Sequence, residues 1–311
     1  MTQDVNTRYG ALTGVTFATF HDDGSPSEVW PGQANPLETP LGRLVPQYSG
    51  EDLRKPRVEP VTFHPGGALK SLPLETQVRV STPLGEMPAE LVSFHPSGAV
   101  RRVFPLNGKL SGAWTWEDEQ RLAEPLTLET PAGRVEARLI CAHFHPSGAL
   151  RSLTLWRGEE AEIDTPLGRI RARLGLSFYE DGALRSLEPA EPLEVPTPIG
   201  RLRTYDSEAL GVSGDVNSLA FAPEGRLEAL ASTDCAVIAT CGGQTRRFAP
   251  GKRQSLCEED AVDTVPLRLR FESGRVLIGG EVFGLDRYAF RVERQLFSLF
   301  PDFQGARGCG T

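Results

Sequence analysis

The chain has 311 residues, enough for one large or two ordinary domains whose core needs no disulfide support. Its 41 acidic and 33 basic residues give a net charge of −8, which argues against a nucleic-acid binder held by a general basic surface. The first ten residues are polar, no apolar stretch could span a bilayer, and the five cysteines form no C-x-x-C pair. We therefore expect a cytoplasmic protein with no signal peptide, transmembrane segment, zinc ribbon or disulfide framework.

A first repeated motif reads Phe-x-x-x-Gly. Three copies are close to one another: FHPGGAL at Phe63, FHPSGAV at Phe94 and FHPSGAL at Phe144. Proline followed by glycine suits a tight turn, because proline presets φ and glycine accepts a positive φ. The six copies are Phe20–Gly24, Phe63–Gly67, Phe94–Gly98, Phe144–Gly148, Phe178–Gly182 and Phe221–Gly225.

A second motif, Thr-Pro-x-Gly, alternates with the first without exception. The copies are Thr39–Gly42, Thr82–Gly85, Thr130–Gly133, Thr165–Gly168 and Thr197–Gly200, with a degenerate sixth at Thr240–Gly243. The glycines of the two motifs are 18 residues apart in four of six cases. This phase predicts hairpins, with the Thr-Pro-x-Gly turns at the opposite edge of the sheet from the Phe-x-x-x-Gly turns.

The segments between the turns alternate like strands. In Arg169–Phe178, apolar residues occupy every second position and arginines lie between them. The sequence thus predicts an all-β fold: an antiparallel meander of at least twelve strands, elongated or curled. The array would cover 1–243, with two lobes at about 15–90 and 175–245 from a duplicated 18-25-18 spacing, and 244–311 would be an atypical C-terminal cap. We expect Arg287–Phe300 to form a closing helix or a last strand.

One interval of the array is too long. Gly98 and Gly133 are 35 residues apart, and the extra segment contains Leu106–Lys109, whose Asn-Gly pair predicts a tight hairpin. Trp114 and Trp116 would share one strand face, where they either pack in the core or anchor a partner.

These motifs resemble MORN-type repeat proteins, especially bacterial antitoxin-like variants. The resemblance lies in the FHPSGALRSL element at Phe144 and in the N-G-K-x-x-G-x-W unit from Asn107 to Trp114. It implies stacked antiparallel hairpins in an elongated sheet, and a protein that binds proteins or lipids and catalyses nothing.

Two sets of side chains could bind a metal ion. His21, His64, His95 and His145 each follow a motif phenylalanine, but turns two strands apart would hold them about 9–10 Å from one another. Cys141, His143 and His145 alternate on one strand, so they would share a face and offer zinc-type ligands. No fourth ligand is identifiable, so we predict no metal site and no cofactor.

Two further groups could form a site. Asp206, Glu208 and Asp215 cluster in one loop and could act as paired acids in a hydrolase, although acidic loops are usually only solvated. An arginine stripe consists of Arg169, Arg171, Arg173, Arg201 and Arg203. It could bind an anionic partner, or the arginines could pair across strands with acids such as Glu136, Glu162 and Glu194.

No complete catalytic constellation is present in the sequence. We therefore expect a non-enzymatic binding or scaffolding protein whose β-repeat surface binds another protein. A hydrolase with a carboxylate site in the 201–225 loop is the alternative, and an antitoxin or immunity-like protein is a lesser one. Strands at the ends of the array could also pair with a second copy, giving a homodimer.

Overall fold

The computed structural model describes residues 3–50, 53–209, 214–254 and 262–294, and these hold twenty-eight strands and one helix. This confirms the all-β prediction. In chain order the elements are β1 (Gln3–Thr7), β2 (Gly10–Val15), β3 (Phe17–Phe20), β4 (Pro26–Trp30), β5 (Leu37–Thr39), β6 (Gly42–Leu44), β7 (Val61–Phe63), β8 (Leu69–Thr82), β9 (Gly85–Phe94), β10 (Val100–Phe104), α1 (Trp116–Leu122), β11 (Pro125–Thr130), β12 (Gly133–Phe144), β13 (Leu150–Leu155), β14 (Glu160–Thr165), β15 (Gly168–Phe178), β16 (Leu184–Pro189), β17 (Leu193–Thr197), β18 (Gly200–Thr204), β19 (Leu219–Phe221), β20 (Leu227–Ser232), β21 (Cys235–Cys241), β22 (Gln244–Phe248), β23 (Gly251–Gln254), β24 (Val262–Val265), β25 (Leu267–Glu272), β26 (Arg275–Ile278), β27 (Glu281–Gly284) and β28 (Ala289–Arg294).

The chain divides into two compact units. Unit 1 comprises residues 1–191 and 209–226, and unit 2 comprises 192–208 and 227–311. The boundary predicted at residue 243 falls inside unit 2, at the β21–β22 hairpin. The helix has seven residues, so no helix in the described part of the chain is long enough to cross a membrane.

The main sheet of unit 1 is an antiparallel meander of eleven strands in the order β3-β4-β7-β8-β9-β10-β12-β13-β15-β16-β19. Phe-x-x-x-Gly turns join neighbouring strands of this sheet. The motif phenylalanines fill the core: Phe63, Phe94, Phe144, Phe178 and Phe221 are all fully buried. Only the first copy departs, because Phe20 is about half exposed.

The threonine of the second motif closes its turn by two hydrogen bonds. In the β8–β9 hairpin, the Thr82 hydroxyl donates to the Gly85 carbonyl and accepts from the Leu84 amide. The other four copies repeat both bonds. The β1–β2 hairpin has the same geometry at Thr7–Gly10, a copy that sequence reasoning missed because Arg8 replaces the proline.

Long strands change register between the two kinds of turn. In β15, pairing with β16 shifts between Arg173 and Leu176, and Leu174 adopts a φ of +59°. Similar shifts interrupt β8 and β12. Bulges of this kind bend a strand, and the half of each strand beyond the bulge belongs to a Thr-Pro-x-Gly hairpin.

This bending corrects the prediction that the two turn types lie at opposite edges. Three Thr-Pro-x-Gly prolines pack on the glycines of Phe-x-x-x-Gly turns further along the chain. Their carbons lie 3.3–3.6 Å from where a Cβ of the glycine would be, in the pairs Pro83–Gly148, Pro131–Gly182 and Pro166–Gly225. Within unit 1, therefore, these turns meet in pairs.

Unit 2 has its own sheets and core. Its strands form the antiparallel run β20-β25-β26-β27, the three-stranded sheet β22-β21-β28 and the hairpins β17–β18 and β23–β24. Leu202, Val237, Leu269 and Phe271 are among its buried core residues. The segment expected to close the chain contains the strand β28, and the remainder of Arg287–Phe300, from 295 on, lies outside the described residues.

Candidate functional site

The four turn histidines link successive repeats. The Nε2 of His21 lies 3.1 Å from the carbonyl oxygen of Phe63, the next motif phenylalanine. The same bond joins His64 to Phe94, His95 to Phe144 and His145 to Phe178, and the Tyr179 hydroxyl makes it to Phe221. A carbonyl oxygen only accepts hydrogen bonds, so Nε2 is assigned the proton. These side chains therefore form a structural ladder.

The predicted Cys141, His143 and His145 set does not share one face. A register shift between His143 and Phe144 places His145 in the turn, where it bonds to Phe178. Burial raises the pKa of the Cys141 thiol to about 12. Burial, with the nearby charges of arginines, lowers the pKa of His143 to about 4, so His143 is neutral at pH 7. No cluster of three or more metal-ligating side chains occurs among the described residues.

The three loop carboxylates lie on both units. Asp206 belongs to unit 2, where it lies 3.9 Å from Arg268 and accepts a hydrogen bond from the Glu208 amide. Asp215 belongs to unit 1, where it lies 3.2 Å from Arg151. Residues 210–213 of this loop lie outside the described residues.

Every arginine of the predicted stripe has a carboxylate within 4 Å. The pairs are Arg169–Asp164, Arg171–Glu160, Arg171–Glu191, Arg173–Glu188, Arg201–Glu194 and Arg203–Asp234. Four of these six pairs join adjacent strands, as the simpler of the two interpretations expects. Of the three acids named in advance, Glu194 is among the partners, and Glu136 and Glu162 are not. Binding of an anionic partner by this stripe stays a prediction.

A buried ion network holds the inserted segment 105–124 against the sheet. The Arg54 guanidinium donates two hydrogen bonds to Glu119 and two to Glu90, at 2.6–2.9 Å. Lys55 lies 3.3 Å from Glu90, so two cations balance two carboxylates. The indole N–H of Trp114 also donates to Glu119.

The Glu119 carboxylate of this network has a lowered pKa and stays charged. Burial acts to raise the pKa of Glu119, but hydrogen bonds from Arg54, Trp114 and the Gly108 amide outweigh it and hold that pKa below its ordinary value. The Gly108 backbone approaches Glu119 so closely that a Cβ at residue 108 would overlap the carboxylate. The glycine is therefore required for the contact rather than for a turn.

The predicted hairpin at Leu106–Lys109 is wrong. Residues 105–115 form no strand, and the helix α1 begins at Trp116. Thr115 and Asp118 cap the helix reciprocally, and this capping box was the sequence signal that could have predicted it. Trp114 and Trp116 consequently do not share a strand face.

A cavity of about 420 Å³ opens beneath the inserted segment. Its walls are largely apolar and include Phe104, Leu106, Trp116, Ile140, Leu155 and Leu174. Leu174 is the only described non-glycine residue with a positive φ, and such backbone strain is concentrated at functional sites. A pre-formed apolar cavity of this size, with a few polar groups, is the default candidate for a binding site.

Two side chains of the cavity wall, Trp156 and Arg157, lack the hydrogen bonds or ion pairs that Glu119 and Asn107 make among the described residues. Trp156 is only 8% exposed, and its indole N–H is buried with no hydrogen-bond partner. The exposed Arg157 places its guanidinium 5.6 Å from the ring centre of Trp116, and no carboxylate in the described part of the chain pairs with it. Sequence reasoning missed Trp156 and Arg157, along with Arg54, Glu90 and Glu119, because only the fold brings them together.

A comparison with models of known protein families finds no match for this chain, and a comparison with curated proteins finds none either. The function must therefore be inferred from the chain's own residues. The cavity is formed in part by the inserted segment 105–124, which does not belong to the repeated hairpins.

Proposed function

We propose that this protein is a non-enzymatic binding protein. The β-repeat array is its scaffold, and the inserted segment 105–124 forms the site that receives apolar side chains of a protein partner. The observation that carries the proposal is the 420 Å³ apolar cavity at the longest interval between repeated turns, from Gly98 to Gly133. The resemblance to MORN-type proteins, which mostly bind proteins or lipids, favours the same conclusion.

The repeated polar residues support this proposal by being engaged elsewhere. His145 and its equivalents bond to neighbouring repeats, and Thr82 and its equivalents close their own turns. These motifs build the scaffold and leave binding to the segment that does not repeat.

We expect the site to bind a partner without rearrangement, because a buried ion network fixes the inserted segment. Arg54 connects the helix residue Glu119 to the strand residue Glu90 through four hydrogen bonds, and all three side chains are at most 14% exposed. Removal of one member of such a buried network is strongly destabilising, so the segment is held in one arrangement. A pre-organised site loses less conformational entropy when a partner binds.

The cavity can be tested with a neutral apolar dye, N-phenyl-1-naphthylamine, and the full-length protein. Ile140 lines the cavity, so Ile140→Trp should fill it, whereas Ile140→Leu conserves volume and is the matched control. We expect dye fluorescence to rise with the wild type and Ile140→Leu and to rise much less with Ile140→Trp. A protein captured from the source cells should follow the same order.

Equal dye binding by all three proteins would place the apolar site elsewhere and refute the proposal. Turnover of a substrate that depends on Asp206, Glu208 or Asp215 would instead favour the hydrolase.

A further inference from the structure

The polar groups of the cavity indicate which part of a partner enters it. Of the polar residues in its wall, Glu119 accepts four hydrogen bonds, and Asn107 bonds to Glu90 and Glu59. Their hydrogen-bonding capacity is therefore largely engaged within the protein. The side-chain donors that remain are the guanidinium of Arg157 and the indole N–H groups of Trp116 and Trp156, and of these two indoles only that of Trp156 is buried without a partner.

An unmatched buried donor has an energetic cost. An N–H that is buried without an acceptor has lost its hydrogen bonds to water, and a ligand that supplies an acceptor recovers that free energy. Trp156 is more than nine-tenths buried and lines the cavity, so an acceptor on a bound group could bond to it.

The charge at the cavity favours an anion. Arg54 and Lys55 balance Glu90 and Glu119, so the buried network is neutral overall. Among the described residues of the cavity wall, Arg157 is therefore the charged side chain that has no partner of opposite charge. A guanidinium binds a carboxylate through two parallel hydrogen bonds, and such charge-assisted bonds are stronger than neutral ones.

On the basis of the proposed function, we infer that the cavity binds the C-terminal residue of a partner polypeptide that ends in a large apolar side chain. The apolar side chain lies in the cavity, and the terminal carboxylate bonds to Trp156 and Arg157. In a polypeptide, only the C-terminal residue carries a large apolar group and a carboxylate together.

The surroundings of the cavity favour a polypeptide over a free organic acid. Leu110 lines the cavity and is also 62% exposed. Its side chain offers apolar surface outside the cavity, on which the preceding residues of a partner chain can pack.

The inference can be tested with two fluorescein-labelled peptides, Gly-Ser-Gly-Ser-Leu-Phe with a free carboxylate and the same peptide with a C-terminal carboxamide. Fluorescence anisotropy with the full-length protein should show at least tenfold tighter binding of the acid. Arg157→Gln should remove most of that preference, and Trp156→Phe should reduce it. Arg121→Gln, an exposed α1 arginine that pairs with Asp118, should leave it unchanged.

Each outcome of the peptide experiment bears on the inference. Equal binding of the acid and the amide would overturn it while leaving the proposed function intact, because N-phenyl-1-naphthylamine reports the apolar cavity independently. Failure of both peptides to bind would overturn it as well. If 3-phenylpropanoate bound as tightly as the peptide acid, the carboxylate would be recognised but the ligand would be a free acid. Circular dichroism of the Trp156→Phe protein checks its fold, and Arg157→Gln, at an exposed position, gives an independent answer.

Discussion

At the scale of single residues, the histidine ladder is a set of testable hydrogen bonds. His145 donates from Nε2 to the carbonyl of Phe178, and one repeat later Tyr179 makes the equivalent bond with its hydroxyl. We expect His145→Phe to lower the free energy of unfolding by about 1 kcal/mol, because it deletes one hydrogen bond and leaves a carbonyl without its partner. His145→Tyr should lower it less. Urea unfolding of both variants measures the difference, and equal losses would contradict the ladder.

His143 should make stability depend on pH. Its pKa is about 4 in the folded protein and near 6.5 when unfolded. Between these values the unfolded chain binds more protons, so the free energy of unfolding falls as pH falls, by up to about 1.4 kcal/mol per pH unit. His143→Leu should flatten this dependence between pH 6.5 and 4. Urea unfolding at several pH values measures it, and parallel curves for the two proteins would refute this assignment.

At the scale of elements, the contact between the two turn types is testable through a pair of glycines. Gly98 and Gly225 occupy the same motif position with φ values of +88° and +83°. An alanine at residue 98 would meet open space, whereas at residue 225 it would lie 3.3 Å from Pro166. Gly98→Ala should cost about 1 kcal/mol for the left-handed backbone alone.

Gly225→Ala should cost about 1 kcal/mol more, because the added methyl group must displace the proline. Thermal and urea unfolding of the two variants give the comparison. Identical destabilisation would mean that Pro166 and Gly225 do not pack together.

The elements also show why the sequence predicts some features and not others. Thr-Pro-x-Gly predicts its hairpin because proline, glycine and the threonine hydroxyl act within four residues. The bulge at Leu174 has no such local signal, because leucine accepts a positive φ only when the surrounding structure imposes it. The ion network beside the cavity has no local signal either, because Arg54, Glu90 and Glu119 are far apart in sequence and meet only after folding.

At the scale of the whole molecule, the two units are interleaved in the chain. The two segments of unit 2 are separated by 18 residues of unit 1, and those of unit 1 by 17 residues of unit 2. Closing a flexible loop of this length costs about 2.5 kcal/mol, a modest part of a domain's stability. On this cost we predict that each unit stays folded after the other has unfolded, which gives two unfolding transitions.

The tryptophans allow these transitions to be assigned. Trp30, Trp114, Trp116 and Trp156 all belong to unit 1, so their fluorescence should follow unit 1 alone while far-ultraviolet circular dichroism follows both units. Phe290 is partly buried against the core of unit 2. The fluorescence of the Phe290→Trp variant should therefore also report the unfolding of unit 2. Coincident curves from both probes in the wild type and the variant would instead mean that the two units unfold cooperatively as one.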